Sequence, residues 1–279
     1  MSSSNITRIE SVTEAWLDDP YKGQPIINAY ERELLKLIRA YEKAARAFLN
    51  NPPVFLHAKL PEFDLMTFGK FLETIADQEI LQPGSKVSDS IVRKCMTKGT
   101  QFAEKTGNRI GIDMAFGPGL LDEKVYRNLQ ARNLTALKGI TDEMNKQIVR
   151  VISDGMAEGK TTKQIVELLS DRVEGIGKAR AKAMASYETQ FAITTAAVQK
   201  YQQAGIEFVE WIACKDNKTC KKICRPRDGR IYPLEDAPIC PAHPYCRCAL
   251  APVYIEPGED VSIQQEGKEE ENVGRIGVL

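Results

Sequence analysis

The sequence is poor in histidine, with only two, and carries no excess charge: 38 lysines and arginines stand against 38 aspartates and glutamates. That balance excludes a global field driving the chain onto nucleic acid or an anionic membrane. No apolar run approaches the ~20 residues that cross a bilayer, so no membrane partner is expected. The opening Met1-Ser-Ser-Ser-Asn-Ile-Thr lacks the basic-then-apolar profile of a secretory signal, which predicts synthesis in a reducing cytoplasm. A phosphate-cradling Walker loop, a Gly-x-Ser-x-Gly elbow and a His-Glu-x-x-His pair are also missing. The expectation is a protein without catalytic residues and without a small-molecule substrate.

Cysteine breaks this plainness. Of seven cysteines, all but Cys95 fall between Cys214 and Cys248, with one of the two histidines among them. Cys220-x3-Cys224 is followed by Cys240-x2-His243-Pro244 and Cys246-Arg247-Cys248. Thiol pairs on short turns are how a module too small to bury a core holds itself around zinc, which takes four tetrahedral ligands at a structural site. Cys220, Cys224, His243, Cys246 and Cys248 are the candidate metal ligands. The chosen four are Cys220, Cys224, His243 and Cys246, with Cys248 the nearest substitute. Disulfides or free thiols compete with this reading, but a reducing compartment disfavours disulfides. Cys95 and Cys214 read as ordinary small buried residues.

Periodicity predicts an α+β chain with a mostly helical body. Residues 1–25 form a polar arm. Between Ile26 and Leu49, apolar residues from Ile27 to Phe48 recur at three- and four-residue steps, the stripe of an amphipathic helix stopped by Asn50-Asn51-Pro52-Pro53. Helices are expected over Leu65–Leu81, ending at Pro83-Gly84, and over Ser88–Lys105. Residues 108–119 read as a loop or a short strand between helices. Further helices are expected over Asp122–Lys138, over Thr141–Ala157 with Thr141 as cap, over Thr162–Asp171, and over Lys178–Ala204, closed by Gly205. Gly175-Ile-Gly177 resembles the phosphate-holding turn of a helix-hairpin-helix, a weak signal.

The helical body thus spans residues 26–205. Residues 206–255 form a small β module with extended segments at Phe208–Ile212, Arg230–Tyr232 and Ala249–Tyr254. Residues 256–279, with seven acids against one lysine up to Glu271, form an acidic tail of disorder-prone composition. Seven basic residues crowd between Ala213 and Arg230 against Asp216 and Asp228. Lys218, Lys221, Lys222, Arg225 and Arg227 are the candidate contacts to DNA phosphates, although the neutral chain weighs toward a solvated surface.

Read in order, Arg180-Ala-x2-Met184-Ala-x2-Glu188-Thr, Gly205-Ile206, Trp211, Asp216-x2-Thr219-Cys220-x3-Cys224, Asp228-Gly229, Tyr232-Pro233, Ala237-Pro238 and His243-Pro244-x-Cys246-Arg247-Cys248 resemble the phage head-morphogenesis family. These are the Mu F-like minor head proteins of tailed phages. The resemblance covers about residues 120–254 and departs from the family's usual Cys-x2-Cys spacing. It implies a minor capsid protein of the virion, synthesised in the host cytoplasm. Its implied partners are the portal protein and the procapsid and capsid proteins during assembly, packaging and ejection. A zinc-stapled protein acting on the packaged DNA is the alternative.

Overall fold

The computed structural model describes residues 6–7, 19–50, 65–114 and 122–255. The acidic tail, most of the polar arm and the end of the expected 108–119 loop lie outside the described residues. Helices α1 (Gln24–Asn50), α2 (Leu65–Ala76), α3 (Gln82–Arg109), α4 (Glu123–Ala157) and α5 (Thr162–Gln203) precede the β module. Strands β1 (Ile6–Thr7), β2 (Phe208–Ile212), β3 (Ile231–Pro233) and β4 (Ala249–Ile255) form an antiparallel sheet ordered β1-β4-β2-β3, with one short helix, α6 (Cys224–Arg227), between β2 and β3. A mostly helical chain ending in a small Cys/His-bearing sheet is the expected α+β class. None of the described helices is long and apolar enough to cross a membrane.

Three expected breaks between helices are absent. Between α2 and α3 the chain keeps turning through a π-helical segment, Asp77–Leu81, in which the Gln82 N–H bonds back to the Asp77 carbonyl. The wider turn accommodates Pro83, which lacks an N–H and whose ring would press on the carbonyl four residues earlier. Gly139-Ile140-Thr141 runs inside α4. The Thr141 hydroxyl, instead of capping a new helix, donates back to the carbonyls of Leu137 and Lys138 (3.2 and 2.7 Å). Gly175-Ile176-Gly177 lies inside α5 and is therefore no hairpin turn. A Cβ on Gly177 would come within 2.8 Å of Ile38 Cγ2, so this glycine permits close helix packing.

Both ends of α5 are closed by local signals, of which Gly205 is the one expected. Thr161 and Gln164 form a reciprocal capping box at the start of α5, with Thr161 N–H donating to Gln164 Oε1 at 2.8 Å. Gly205, at φ +70°, closes the other end; Ile206 N–H reaches the Tyr201 carbonyl and Gly205 N–H the Gln202 carbonyl.

The described residues divide into two compact units. One gathers residues 29–50, 65–90 and 130–185. Its core is the α1 stripe, including Tyr30, Leu34, Ile38 and Tyr41, with Phe68, Leu72, Met144 and Ile148. Tyr30 and Tyr41 each place a hydroxyl against an α4 asparagine, Asn133 (3.0 Å) and Asn145, so the buried phenols are satisfied.

The other unit gathers residues 6–7, 19–28, 91–114, 122–129 and 186–255. Here the sheet is built onto helix rather than standing apart. The Leu250 carbonyl in β4 accepts from the Tyr201 hydroxyl (3.1 Å), and the Leu250 N–H donates to the Tyr21 hydroxyl (3.2 Å). Tyr21 meets Phe102 edge to face at 4.5 Å. Val209 and Trp211, on the inner face of β2, are fully buried. Each such side chain contributes roughly 1.5–3 kcal/mol relative to exposure.

Candidate metal centre

Two loops of the second unit supply the ligands, and each is shaped locally before any ion enters. The first leaves β2 and turns at Asp216, whose carboxylate accepts from the Lys218 N–H (3.0 Å) and the Thr219 hydroxyl (2.9 Å). The same hydroxyl approaches the Cys214 carbonyl. Asp-x2-Thr therefore closes the loop on itself and delivers Cys220 at its exit. From there a turn carries the chain to Cys224, closed by the Arg225 N–H, which bonds to the Cys220 carbonyl at 3.0 Å. Residues 221–223 form a turn that leads into α6 and leaves the Cys220 and Cys224 sulfurs within 4.8 Å of one another. Desolvation would raise the Cys220 thiol, but the N–H groups of Ile223, Cys224 and Lys222, pointing at its sulfur, hold it below the usual thiol range.

The second loop is a tight turn in which the Cys246 N–H bonds to the His243 carbonyl (3.1 Å), with Tyr245 in the left-handed region at φ +63°. His243 Nδ1 donates to the Pro244 carbonyl at 2.8 Å. That bond fixes the tautomer and leaves the Nε2 lone pair facing Cys224 Sγ, 3.1 Å away. Cys224 Sγ also lies 3.8 Å from Cys246 Sγ. With zinc–sulfur bonds of ~2.3 Å, two thiolates at tetrahedral corners are separated by roughly 3.8 Å, so the spacing fits such an ion.

Two groups of ligand atoms thus gather, each within 4.8 Å of one another: Cys220, Cys224 and His243, and Cys224, Cys246 and Cys248. All five candidate ligands are brought together, with Cys224 common to both groups. They could hold a metal ion. Cys224, Cys246 and Cys248 are nearly sealed from solvent. The Cys246 thiol is pushed strongly down, chiefly by its hydrogen bond with Cys224, while Cys224 is pushed up chiefly by that same bond and Cys248 chiefly by its hydrogen bond with Cys224. Buried thiols this close cannot all ionise unaided; a divalent cation allows several to do so.

Cys240 joins neither group. It is buried, donates to the Cys248 carbonyl at 3.2 Å, and has its thiol raised chiefly by desolvation. Cys95 and Cys214 are buried thiols as expected, each pushed up to about 12 mainly by desolvation.

The candidate DNA contacts sit on the first loop. Lys218, Lys221, Lys222 and Arg225 are exposed, whereas the Arg227 guanidinium lies over the Trp211 ring at 5.2 Å. Sequence reasoning missed one pair of residues, Asp216 and Arg247. The Arg247 guanidinium, between Cys246 and Cys248 in sequence, pairs with the Asp216 carboxylate and so ties one ligand loop to the other. Desolvation works against Asp216, but the Arg247 and Thr219 hydrogen bonds prevail and hold its carboxyl below the usual range. The available signal was the Asp-x2-Thr turn beside the arginine of Cys-Arg-Cys.

Residues 146–251 match the family model described as Phage Mu protein F like protein. Among curated proteins and solved structures, nothing matches the chain. The matched segment spans well under half the sequence, yet holds the Asp216 turn, both ligand loops and the first three residues of β4. Over residues 146–251 the chain is similar to the proteins described as Phage Mu protein F like.

Proposed function

We propose that the chain is a minor structural protein of a tailed-phage head, present in the virion near the portal. It would associate with portal and procapsid proteins during assembly, packaging or ejection, without catalytic activity. The observation that carries this reading is the family match over residues 146–251, which includes the two-loop Cys/His module at its end. Five donors for four tetrahedral places also favour a closed, structural site over a catalytic one with an open position. Portal-containing and portal-free procapsids, sedimented and analysed by mass spectrometry, test the placement. We expect the chain with the first and not the second; equal amounts in both, or absence from purified virions, would reject it.

The same reading assigns zinc to Cys220, Cys224, His243 and Cys246, with Cys248 as the alternative fourth ligand. Supporting it are the 3.8 Å sulfur pair, the Nε2 lone pair of His243 and the N–H groups around Cys220. Elemental analysis of protein purified under reducing conditions should give about one zinc per chain. Cobalt substitution should give absorption typical of three sulfurs and one nitrogen. Metal-free protein with all thiols free or paired would overturn the assignment.

A further inference from the structure

We propose that the loop from Ala213 to Arg230 is a binding surface for the phosphate backbone of double-stranded DNA. Among the described residues, Lys215, Lys218, Lys221, Lys222 and Arg230 are exposed and form no ion pair. Arg225 is also exposed and reaches only a backbone carbonyl, that of Asp216, at 3.4 Å. Some cations on the helices are instead neutralised: Lys36, Arg46 and Arg127 each pair with a glutamate one helical turn away, at 2.7–2.9 Å.

The two acids of the loop do not offset its cations fully. Asp216 is paired with Arg247 and accepts from Lys218 N–H and Thr219, and Asp228 Oδ1 takes the Ala213 N–H at 2.9 Å. The chain's zero net charge therefore conceals a locally positive face. Over a Debye length of ~8–10 Å, that local balance is what an approaching polyanion meets. The Asp216 turn and the Cys220–Cys224 turn also fix the loop, so less ordering cost attends binding. Four of the six cations are lysines, compact point charges able to contact phosphates without regard to sequence. Arg227, committed to the Trp211 ring, is left out of the surface.

The charge array stands whichever ion the centre takes, and whether or not the chain meets the portal. The test uses the full-length, metal-loaded protein and two labelled duplexes of unrelated sequence, titrated across salt. We expect equal affinity for both and a steep fall with salt. The variant Lys218→Gln/Lys221→Gln/Lys222→Gln/Arg225→Gln should flatten the log–log slope by roughly 3–4 units. Metal content checks that its fold is intact, and Lys36→Gln should change nothing. No retention at low salt, or an unchanged slope in the variant, overturns the proposal. So does a variant that binds DNA normally but loses procapsid association, which would assign the surface to an acidic protein. Detection of the chain in portal-containing particles is read separately, so either result can fail alone.

Discussion

Arg247 stands between two candidate ligands in sequence, but its side chain turns away to Asp216, at the mouth of the opposite loop. Both partners are partly buried, and Asp216 accepts two further hydrogen bonds. The pair thus sets the separation of the two ligand loops independently of the metal. Groups that orient ligands typically contribute 10–100-fold in metal affinity. Asp216→Asn should accordingly weaken metal binding by about that factor in competition with a chromophoric chelator, while leaving the metal ratio at saturation unchanged. Arg247→Lys, which keeps the charge and loses the fork, should fall between wild type and Asp216→Asn. Unaltered affinity in both variants would show that the ligands set their own geometry.

At the scale of elements, the signals that punctuated the helices in sequence proved to be packing devices. Pro83-Gly84 reads as a stop, yet a π-helical turn absorbs the proline and a Cβ on Gly84 would run into Leu137 Cδ2. Such breaks were illegible because burial against a partner far along the chain overrides local preference. The α1 stripe, Gly205 and all three main strands were legible because their causes are local: a repeating apolar face, a left-handed cap, and alternation between turns. Glycines consequently carry opposite expectations. On Gly99 a Cβ would collide with the Ile193 backbone carbonyl, which cannot move aside without bending α5. Gly99→Ala should therefore destabilise by about 1–3 kcal/mol despite alanine's better helix propensity. Gly175 is exposed with nothing within 4 Å of its Cβ position, so Gly175→Ala should stabilise by up to ~1 kcal/mol. Chemical denaturation of the two variants checks the sign of each; matching signs would contradict this account of the helix packing.

On the scale of the whole molecule, the clustering of the Cys/His residues was legible, but not their place in a larger core. These residues cluster in sequence, whereas the tyrosines that bind Leu250 lie at positions 21 and 201, and nothing local marks them as partners. The difference bears on what metal loss does. In an isolated finger the ion supplies nearly all the folding free energy, ~10–16 kcal/mol, and chelation unfolds the domain. Here Trp211, Val209 and Leu250 are buried with helical residues of the same unit, so part of that unit's stability does not depend on the ion. Stripping the metal should leave Cys224, Cys246 and Cys248 as crowded buried thiols and loosen the two loops first. Amide hydrogen exchange should accelerate most in residues 213–230 and 240–248, less in β2 and β4, and least in residues 130–165 of the other unit. Rapid exchange across the entire chain after chelation would mean that the ion supports both units. Unchanged exchange in the two loops, with metal loss verified, would mean that the hydrogen bonds around Asp216 and His243 alone suffice to hold them.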